Sequence, residues 1–465
     1  MGTKRLDFLI VGAGPAGLGA AYRLHRLGSE SWLVVEGQDG PGGLSRSWRD
    51  EAGFTWDLGG HIVFSKQQAF NRMLEEVLPG GLLRHERRAY VRLGGRDVPY
   101  PLQNNLHRLP DGLREECLRG LEEAAAGAAA AGAARPADFA GWAEQSFGPG
   151  VVRHFLKPYN RKLWRCELEE LSADWVGERV ARPDPAKVLA EARAGRDDVG
   201  WGPNSAFLFP RAGGTGAIWS ALAGSLPSGR VRFGAAVAGI DLAGRTCRLA
   251  SGEELAYENL VATLPLDELA AMTGDRGLIS AASALRRNCV DVFGLGLAGR
   301  PPAELAGKCW MYFPEERPPY YRVTVFSHYS PANVPDPDST WSLMAEVSSA
   351  PGRPAPEPAW LGIRVVDSLK AERLMPADAR VLSQWHRRAE HAYPLPTVAR
   401  NAALAAIVPP LEDRGVWPRG RFGAWRYEAG NMDHCFMQGV EVVGRICRGE
   451  PETVLPPSNA GAAER

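Results

Sequence analysis

Three glycines near the start have the spacing needed to hold a phosphate. Gly12, Gly14 and Gly17, in the run Gly12-Ala13-Gly14-Pro15-Ala16-Gly17, follow a short apolar stretch (LDFLIV, 6–11) and open a segment of helical spacing (AGLGAAYRLHRL, 16–27). In such a run the first glycine permits the tight turn. The second lets backbone approach a pyrophosphate, and the third lets the helix lie close on the strand. The free N–H groups of the helix N-terminus then point at the anion, with the positive end of the helix dipole behind them. A second apolar run (SWLVVE, 31–36) ends in Glu36, where a carboxylate can accept hydrogen bonds from ribose hydroxyls. Strand, glycine turn, helix, strand and acid together predict a dinucleotide site.

The next loops favour FAD over NAD. Residues 41–47 (PGGLSRS) form a second glycine turn containing Gly43 and Leu44, and Asp57-Leu58-Gly59-Gly60-His61 follows. Paired glycines bring backbone close to a large flat ligand. A late strand ending LVATLP (260–265) and a C-terminal helix starting near Asn431 and Met432, with its dipole free to point at a flavin, fit the same expectation.

The rest of the chain must position this unit. At 465 residues, two or three domains are expected. Lys+Arg and Asp+Glu both total 54, so bulk charge gives no sign of a nucleic-acid or membrane partner. The seven cysteines show no CxxC pair and no zinc spacing, which predicts no metal site, no disulfide framework and a cytoplasmic setting. The opening apolar run is too short for a signal sequence, and no stretch approaches the roughly 18 apolar residues of a membrane span. Residues 105–147 read as helices joined across an Ala-rich patch (122–138), 228–265 and 309–349 as strands, and 358–380 and 432–447 as helices. This order predicts an α/β fold: a Rossmann-like FAD-binding domain with an inserted helical domain and an inserted antiparallel β-sheet domain. The expected boundaries are 1–95, 206–290 and 420–448 for the FAD domain, and 105–190 for the helices. Segments 96–104, 191–205 and 291–419 are expected to form the sheet, and 449–465 a disordered tail.

Eight segments carry a resemblance. GGHIVFS (59–65), VPYPLQNN (98–105), PYNRKLW (158–164), WVGERVARP (175–183), WGPNSAFLFPRAGGTGAIW (201–219), YYRVTVFSHYSP (320–331), HAYPLP (391–396) and GRFGAWRYEAGNMDHCFMQGVE (420–441) resemble UDP-galactopyranose mutases, most of all the eukaryotic-type enzymes. The resemblance implies a three-domain flavoprotein that interconverts pyranose and furanose forms of a nucleoside-diphosphate sugar without net redox. In that family N5 of reduced FAD is the nucleophile at the anomeric carbon. A nicotinamide cofactor, NADPH or NADH, is the implied reductant, and a homo-oligomer is left open.

Together with the dinucleotide fingerprint, the resemblance implies roles residue by residue, inside those segments and beyond them. Arg179 and Arg322 would clamp the departing diphosphate, for which a guanidinium fork suits better than a lysine. His61 would lie beside the flavin ring. Tyr312, Tyr329, Tyr393 and Tyr427 would surround diphosphate and sugar, with Asn204 and Asn431 nearby. Tyr100 and Phe155 would offer aromatic faces to the base, with Gln103, Asn160 and Trp164 contacting base and ribose. Gly12, Gly14, Ala16, Gly17, Glu36, Gly43, Leu44, Gly60, His61, Val237, Trp310, Arg421, Met432 and Cys435 would border FAD. No nucleophilic role is implied for Cys435.

One departure stands out: the family's Phe after PYN is Arg161 here, which places an extra charge near the expected nucleotide pocket and raises the question of a different base or sugar. Three alternatives remain at this stage: a flavin-dependent glycosyl rearrangement or transfer on the same scaffold, an FAD-dependent amine-oxidase-type oxidoreductase, and a non-catalytic nucleotide-sugar-binding flavoprotein. The two arginines and the tyrosines weigh against the oxidase, whose pocket over the flavin should be apolar.

Overall fold

The structure, a computed structural model, describes residues 5–130, 136–177, 180, 184–199, 205–352 and 357–455. Arg179 and Asn204 lie outside these residues. Among the described residues, two seven-stranded sheets dominate. The first is built on the strand Leu6–Val11, which pairs in parallel with Trp32–Val35 on one side and Glu254–Ala262 on the other. Leu9, Ile10, Val34, Leu260 and Val261 are fully buried. Such unbroken apolar runs are expected of parallel strands covered on both faces. Val416–Pro418 adds a parallel edge strand beside Glu254–Ala262. The carboxyl ends of these strands, at Gly12, Thr263 and Arg419, therefore emerge on one side, where open α/β sheets bind ligands.

Glycine sets how closely the helices sit on this sheet. A Cβ on Gly17 would lie 1.8 Å from the Gly12 carbonyl oxygen, so the helix Pro15–Arg26 can approach its strand only with glycine there. The C-terminal helix (Met432–Arg448) returns to pack along this first helix, backbone against backbone. Cβ atoms on Gly19 and Gly439 would fall 2.2 Å from the Phe436 oxygen and 1.9 Å from the Ala16 oxygen.

The second sheet is mostly antiparallel. Its long strands Arg287–Ala298, Thr340–Ser349 and Val381–Pro394 pair in register over most of their length. Short strands follow at Arg322–Thr324, Trp310–Tyr312, Ala89–Leu93 and Arg96–Pro99. The hairpin Ser47–Arg49/Thr55–Asp57 lies on it. Gly294 and Gly296 leave room for the rings of Trp56 and Phe54, which a Cβ would meet at 2.5 and 2.6 Å. The helices Asp111–Ala130, Phe139–Val151 and Lys157–Trp164 share a core with this sheet.

Three sequence expectations need correction. The Ala-rich patch is not wholly a connection, because the helix Asp111–Ala130 runs through its first part; alanine is the best helix former, and nothing there breaks the run. The helix expected over 358–380 is Pro358–Ala371. The tail expected to be disordered from 449 stays on the fold through 455, because Glu452 is buried between Arg419 and Arg445. All seven cysteines are free, and among the described residues no helix is long and apolar enough to cross a membrane.

Candidate active site

A cavity of about 1160 Å³ lies between the two sheets. That exceeds the roughly 300–1,000 Å³ usual for one small-molecule site, so it has room for a dinucleotide and a second ligand. At one end it is walled by Gly12, Gly14, Ala16, Glu36, Gly43, Leu44, Val237, Thr263 and Gly420. This end is mainly backbone. Gly12 has φ +103°, and a Cβ there would lie 2.1 Å from the Thr263 hydroxyl, which is tied back to the Val11 carbonyl at 2.8 Å. The Glu36 carboxylate accepts from the Ala13 N–H at 2.7 Å and the Gln38 N–H at 2.8 Å, which fixes it at the strand end facing the cavity. Gly17 stands behind, packing helix on strand. The C-terminal helix begins at the cavity wall with Gly430, Asn431, Met432, Asp433 and Cys435, so its N-terminus faces the enclosed space.

The other end is made of side chains brought from far apart. Arg322 sits on a short strand of the second sheet and Glu346 on its neighbour, directly opposite in register. Arg322 donates from Nε and Nη2 to the two Glu346 oxygens at 2.6 and 2.8 Å. The same carboxylate accepts from the Tyr321 hydroxyl at 2.6 Å and from the Gly60 N–H at 3.1 Å. Tyr321 and Tyr393 hydroxyls lie 3.3 Å apart. Burial opposes both charges of the pair, but mutual attraction outweighs it: Arg322 is held well up and Glu346 below the usual carboxylate range. Tyr321 and Tyr393 are pushed up by burial and stay neutral donors. Arg421 is fixed by the carbonyls of Ala392 and Gly430 at 3.1 and 3.0 Å and lies over the Tyr393 ring at 4.7 Å.

His61 stands two residues after Gly59, whose φ is +109°, and lines the same cavity. Burial, reinforced by Arg421 and Arg322 against the opposing pull of Glu346, pushes its pKa down to about 4, so the ring is neutral at physiological pH. Its Nδ1 is buried and meets no protein partner, an orphan that a ligand can satisfy. Just behind, Asp57 is fully buried. It accepts from the Ser47 hydroxyl at 2.5 Å and the Thr215 hydroxyl at 2.9 Å, which joins the hairpin to the turn 213–216. Burial raises it to about 7 against these hydrogen bonds.

The expected site residues fall into three groups. Gly12, Gly14, Ala16, Glu36, Gly43, Leu44, Gly60, His61, Val237, Arg322, Tyr393, Arg421, Tyr427, Asn431, Met432 and Cys435 all line the cavity. A second set forms an aromatic wall beside it. Tyr312 meets Tyr100 at 5.3 Å and Tyr159 at 5.5 Å, and Tyr159 stacks on Phe155 at 5.7 Å. Trp164 packs edge-on to Tyr427 at 4.8 Å and donates its ring N–H to Asn160 at 2.9 Å. Gln103 is buried in the same quarter. The third group sits deeper: Tyr329 is in a ring cluster with Phe207, Phe209 and Phe326, and Trp310 packs on Phe207. Arg161 does not line the cavity; its side chain is 52% exposed and pairs with Glu167 at 2.9 Å, which places the extra charge in solvent.

Sequence reading missed Glu346 and Tyr321, which hold Arg322, and Arg87, whose guanidinium lies over Tyr100 at 5.2 Å and Trp310 at 5.1 Å at the cavity wall. Tyr321 could have been noticed as the neighbour of Arg322. Glu346 could not, because only strand register brings it there.

A dinucleotide cradle, a neutral histidine and a cationic, tyrosine-lined recess in one cavity define a flavoprotein. Residues 15–447 match the family described as flavin containing amine oxidoreductase, and the chain belongs to that family. Within it, the chain belongs with the UDP-galactopyranose mutases. The crystal structure of a reduced UDP-galactopyranose mutase matches with a TM-score of 0.93 and 40% identity, over 98% of this chain and 97% of that one. Two further structures share the fold alone. One, described as a protoporphyrinogen oxidase from Exiguobacterium sp. 255-15, is 17% identical over 96% of this chain and 99% of that one, with a TM-score of 0.71. The other is the CLA-producing fatty acid isomerase from P. acnes, 14% identical over 95% and 99%, with a TM-score of 0.64.

Proposed function

We propose that this chain is a flavin-dependent mutase that interconverts the pyranose and furanose forms of a nucleoside-diphosphate sugar, UDP-galactose or a related one. The observation that carries the reading is the Arg322–Glu346–Tyr321–Tyr393 cluster facing Gly60 and His61. A buried guanidinium braced by a carboxylate has no use in an apolar amine pocket, but it suits a departing diphosphate. The residues fit FAD. The glycine cradle and the N-terminus of the first helix take the pyrophosphate, the start of the C-terminal helix points at the flavin, Glu36 takes a ribose, and the orphaned Nδ1 of His61 awaits a partner. When bound and reduced, the flavin supplies a nucleophilic ring nitrogen for the anomeric carbon.

The chain's own groups do the rest. Arg322 and, from the matched motif, Arg179 hold the diphosphate close enough to be recaptured; the tyrosine hydroxyls of 393, 427 and 312 donate to its oxygens. Neutral His61 offers a hydrogen bond without adding charge. The aromatic wall of Tyr100, Phe155 and Tyr312, with Gln103, Asn160 and Trp164, takes the nucleoside, and Asn204 and Asn431 the sugar. NADPH or NADH serves as the reductant, and the enzyme works in the cytoplasm.

A panel of nucleotide sugars tests this reading. Dithionite-reduced protein is incubated without oxygen with UDP-galactopyranose and with sugars that differ in base or ring substituents, and products are separated by chromatography. Ring-size isomers of at least one substrate are expected. Capture of the sugar by an added alcohol or amine, with no ring isomer from any substrate, would replace the mutase with a transferase.

A further inference from the structure

The C-terminal helix ends at Gly449, which caps it in the left-handed conformation. The chain then turns back as a short strap. Glu450 receives two hydrogen bonds from Arg23 at 2.8 Å. Thr453 and Val454 donate their N–H groups to Glu441 at 2.8 and 3.0 Å. Between these tethers, the Glu452 side chain is only 2% exposed. It accepts from Nε and Nη2 of Arg419, both at 2.7 Å, and from Arg445 at 2.9 Å. Glu412 completes the group, 2.8 Å from Arg419. Two cations and two carboxylates thus neutralise one another where a lone charge would be costly.

The position of Arg419 gives this group a use. Its backbone N–H extends the edge strand onto the Ala262 carbonyl at 2.9 Å, and its side chain is locked by the strap. The next residues, Gly420, Arg421 and Phe422, line the cavity. Gly420 has φ +92°, donates its N–H to Gln438 at 2.6 Å, and approaches the first turn of the first helix so closely that a Cβ would lie 3.1 Å from that of Ala16. The loop is therefore held by the Arg419 side chain on one side and by Gln438 on the other.

We propose that the 449–455 strap is a positioning element for the flavin site: Glu452, through Arg419, sets the height of the Gly420–Arg421 loop against the dinucleotide cradle, so that flavin affinity depends on a residue that touches no ligand. The proposal rests on the cavity being the flavin site and deepens that reading. It does not require any particular sugar.

The test measures flavin rather than turnover, so an inactive wild type on a given sugar leaves it intact. Apoprotein of the full chain is titrated with FAD by fluorescence quenching, well below every variant's melting temperature, and the midpoint potential of the bound flavin is recorded. Glu452→Ala is expected to raise the FAD dissociation constant by roughly tenfold, the scale on which partners that orient a binding group act, and to shift the potential. Glu452→Gln, which keeps the shape and part of the bonding, is expected to fall between Ala and wild type. Leu361→Ala in the helix Pro358–Ala371, on the far sheet, serves as a variant destabilised elsewhere and should leave affinity and potential unchanged. An unchanged dissociation constant in both Glu452 variants, or an equal loss in Leu361→Ala, would overturn the proposal.

Discussion

The two ends of the cavity are built on opposite principles. The dinucleotide end is made mainly of backbone: glycines at strand ends, helix N-termini and one acid, drawn from the first 44 residues except for Val237, Thr263, Gly420 and the start of the C-terminal helix. The sugar end is made of side chains from positions 61, 321, 322, 346, 393 and 421, joined by register between distant strands. A backbone site tolerates few changes of residue because geometry forbids a Cβ. A side-chain site can be retuned one residue at a time, and it is this end that separates a mutase from oxidases of the same fold.

The largest effect should come from crowding the backbone end. Gly14 has an ordinary φ, and a Cβ there would meet only the Gly43 Cα at 3.9 Å in the protein itself. Gly14→Val should therefore fold, yet block the pyrophosphate. The purified variant is expected to carry no flavin absorbance, and so no turnover, with the apoprotein still cooperative in melting, since the added side chain fills the space through which backbone approaches the pyrophosphate. A normal flavin content would break the contrast.

At the other end the loss should be in turnover and not in flavin. Arg322→Ala is expected to cut turnover by order 10²-fold or more with full flavin content, the size of one preorganised electrostatic donor. Glu346→Ala leaves that guanidinium buried without its partner, and a loss of ~3–5 kcal/mol in a denaturant titration is expected. Glu346→Gln keeps the shape and should lose less stability while still slowing turnover.

His61 gives a pH test. Its native pKa of about 4 lies below the ordinary 6.5. The unfolded chain therefore takes up a proton first as the pH falls, and the native state loses stability between pH 6.5 and 4. Above 6.5 this residue contributes no pH dependence. Relative to His61→Gln, the wild type should weaken across that window only, and turnover should show no His61 titration near 6.5. A titration of this ring near 6.5 by NMR would contradict its assigned burial.

The smallest effect is expected at Arg161. It is half-exposed and paired with Glu167, so Arg161→Ala should change stability by less than ~1 kcal/mol and leave nucleotide-sugar affinity within about twofold. A larger change in affinity would return this residue to the nucleotide pocket.

The same contrast explains what the sequence made legible. The dinucleotide end could be read because its signals are local: Gly12 to Glu36 is one strand–helix–strand unit. Arg322, His61 and Tyr393 were found through matched motifs. Glu346 carries no local signal, since it lies inside an apolar strand and its role arises only when strand Thr340–Ser349 pairs opposite Arg322. Sequence alone does not say which face of a helix a residue takes, and Arg161 turns out half-exposed and paired with Glu167. Glu452 was hidden in a Pro- and Ala-rich tail whose composition suggested disorder, while its buried pairing with Arg419 and Arg445 helps hold the start of that tail in place.

The most direct measurement of the central claim follows sugar and flavin together. Protein reduced with dithionite is mixed without oxygen with UDP-galactopyranose, and the visible spectrum and the products are recorded over many turnovers. The expected result is UDP-galactofuranose formed catalytically while the flavin stays reduced, with none from the oxidised protein. Reoxidation of the flavin in step with product, or no sugar isomer from the reduced protein, would contradict it.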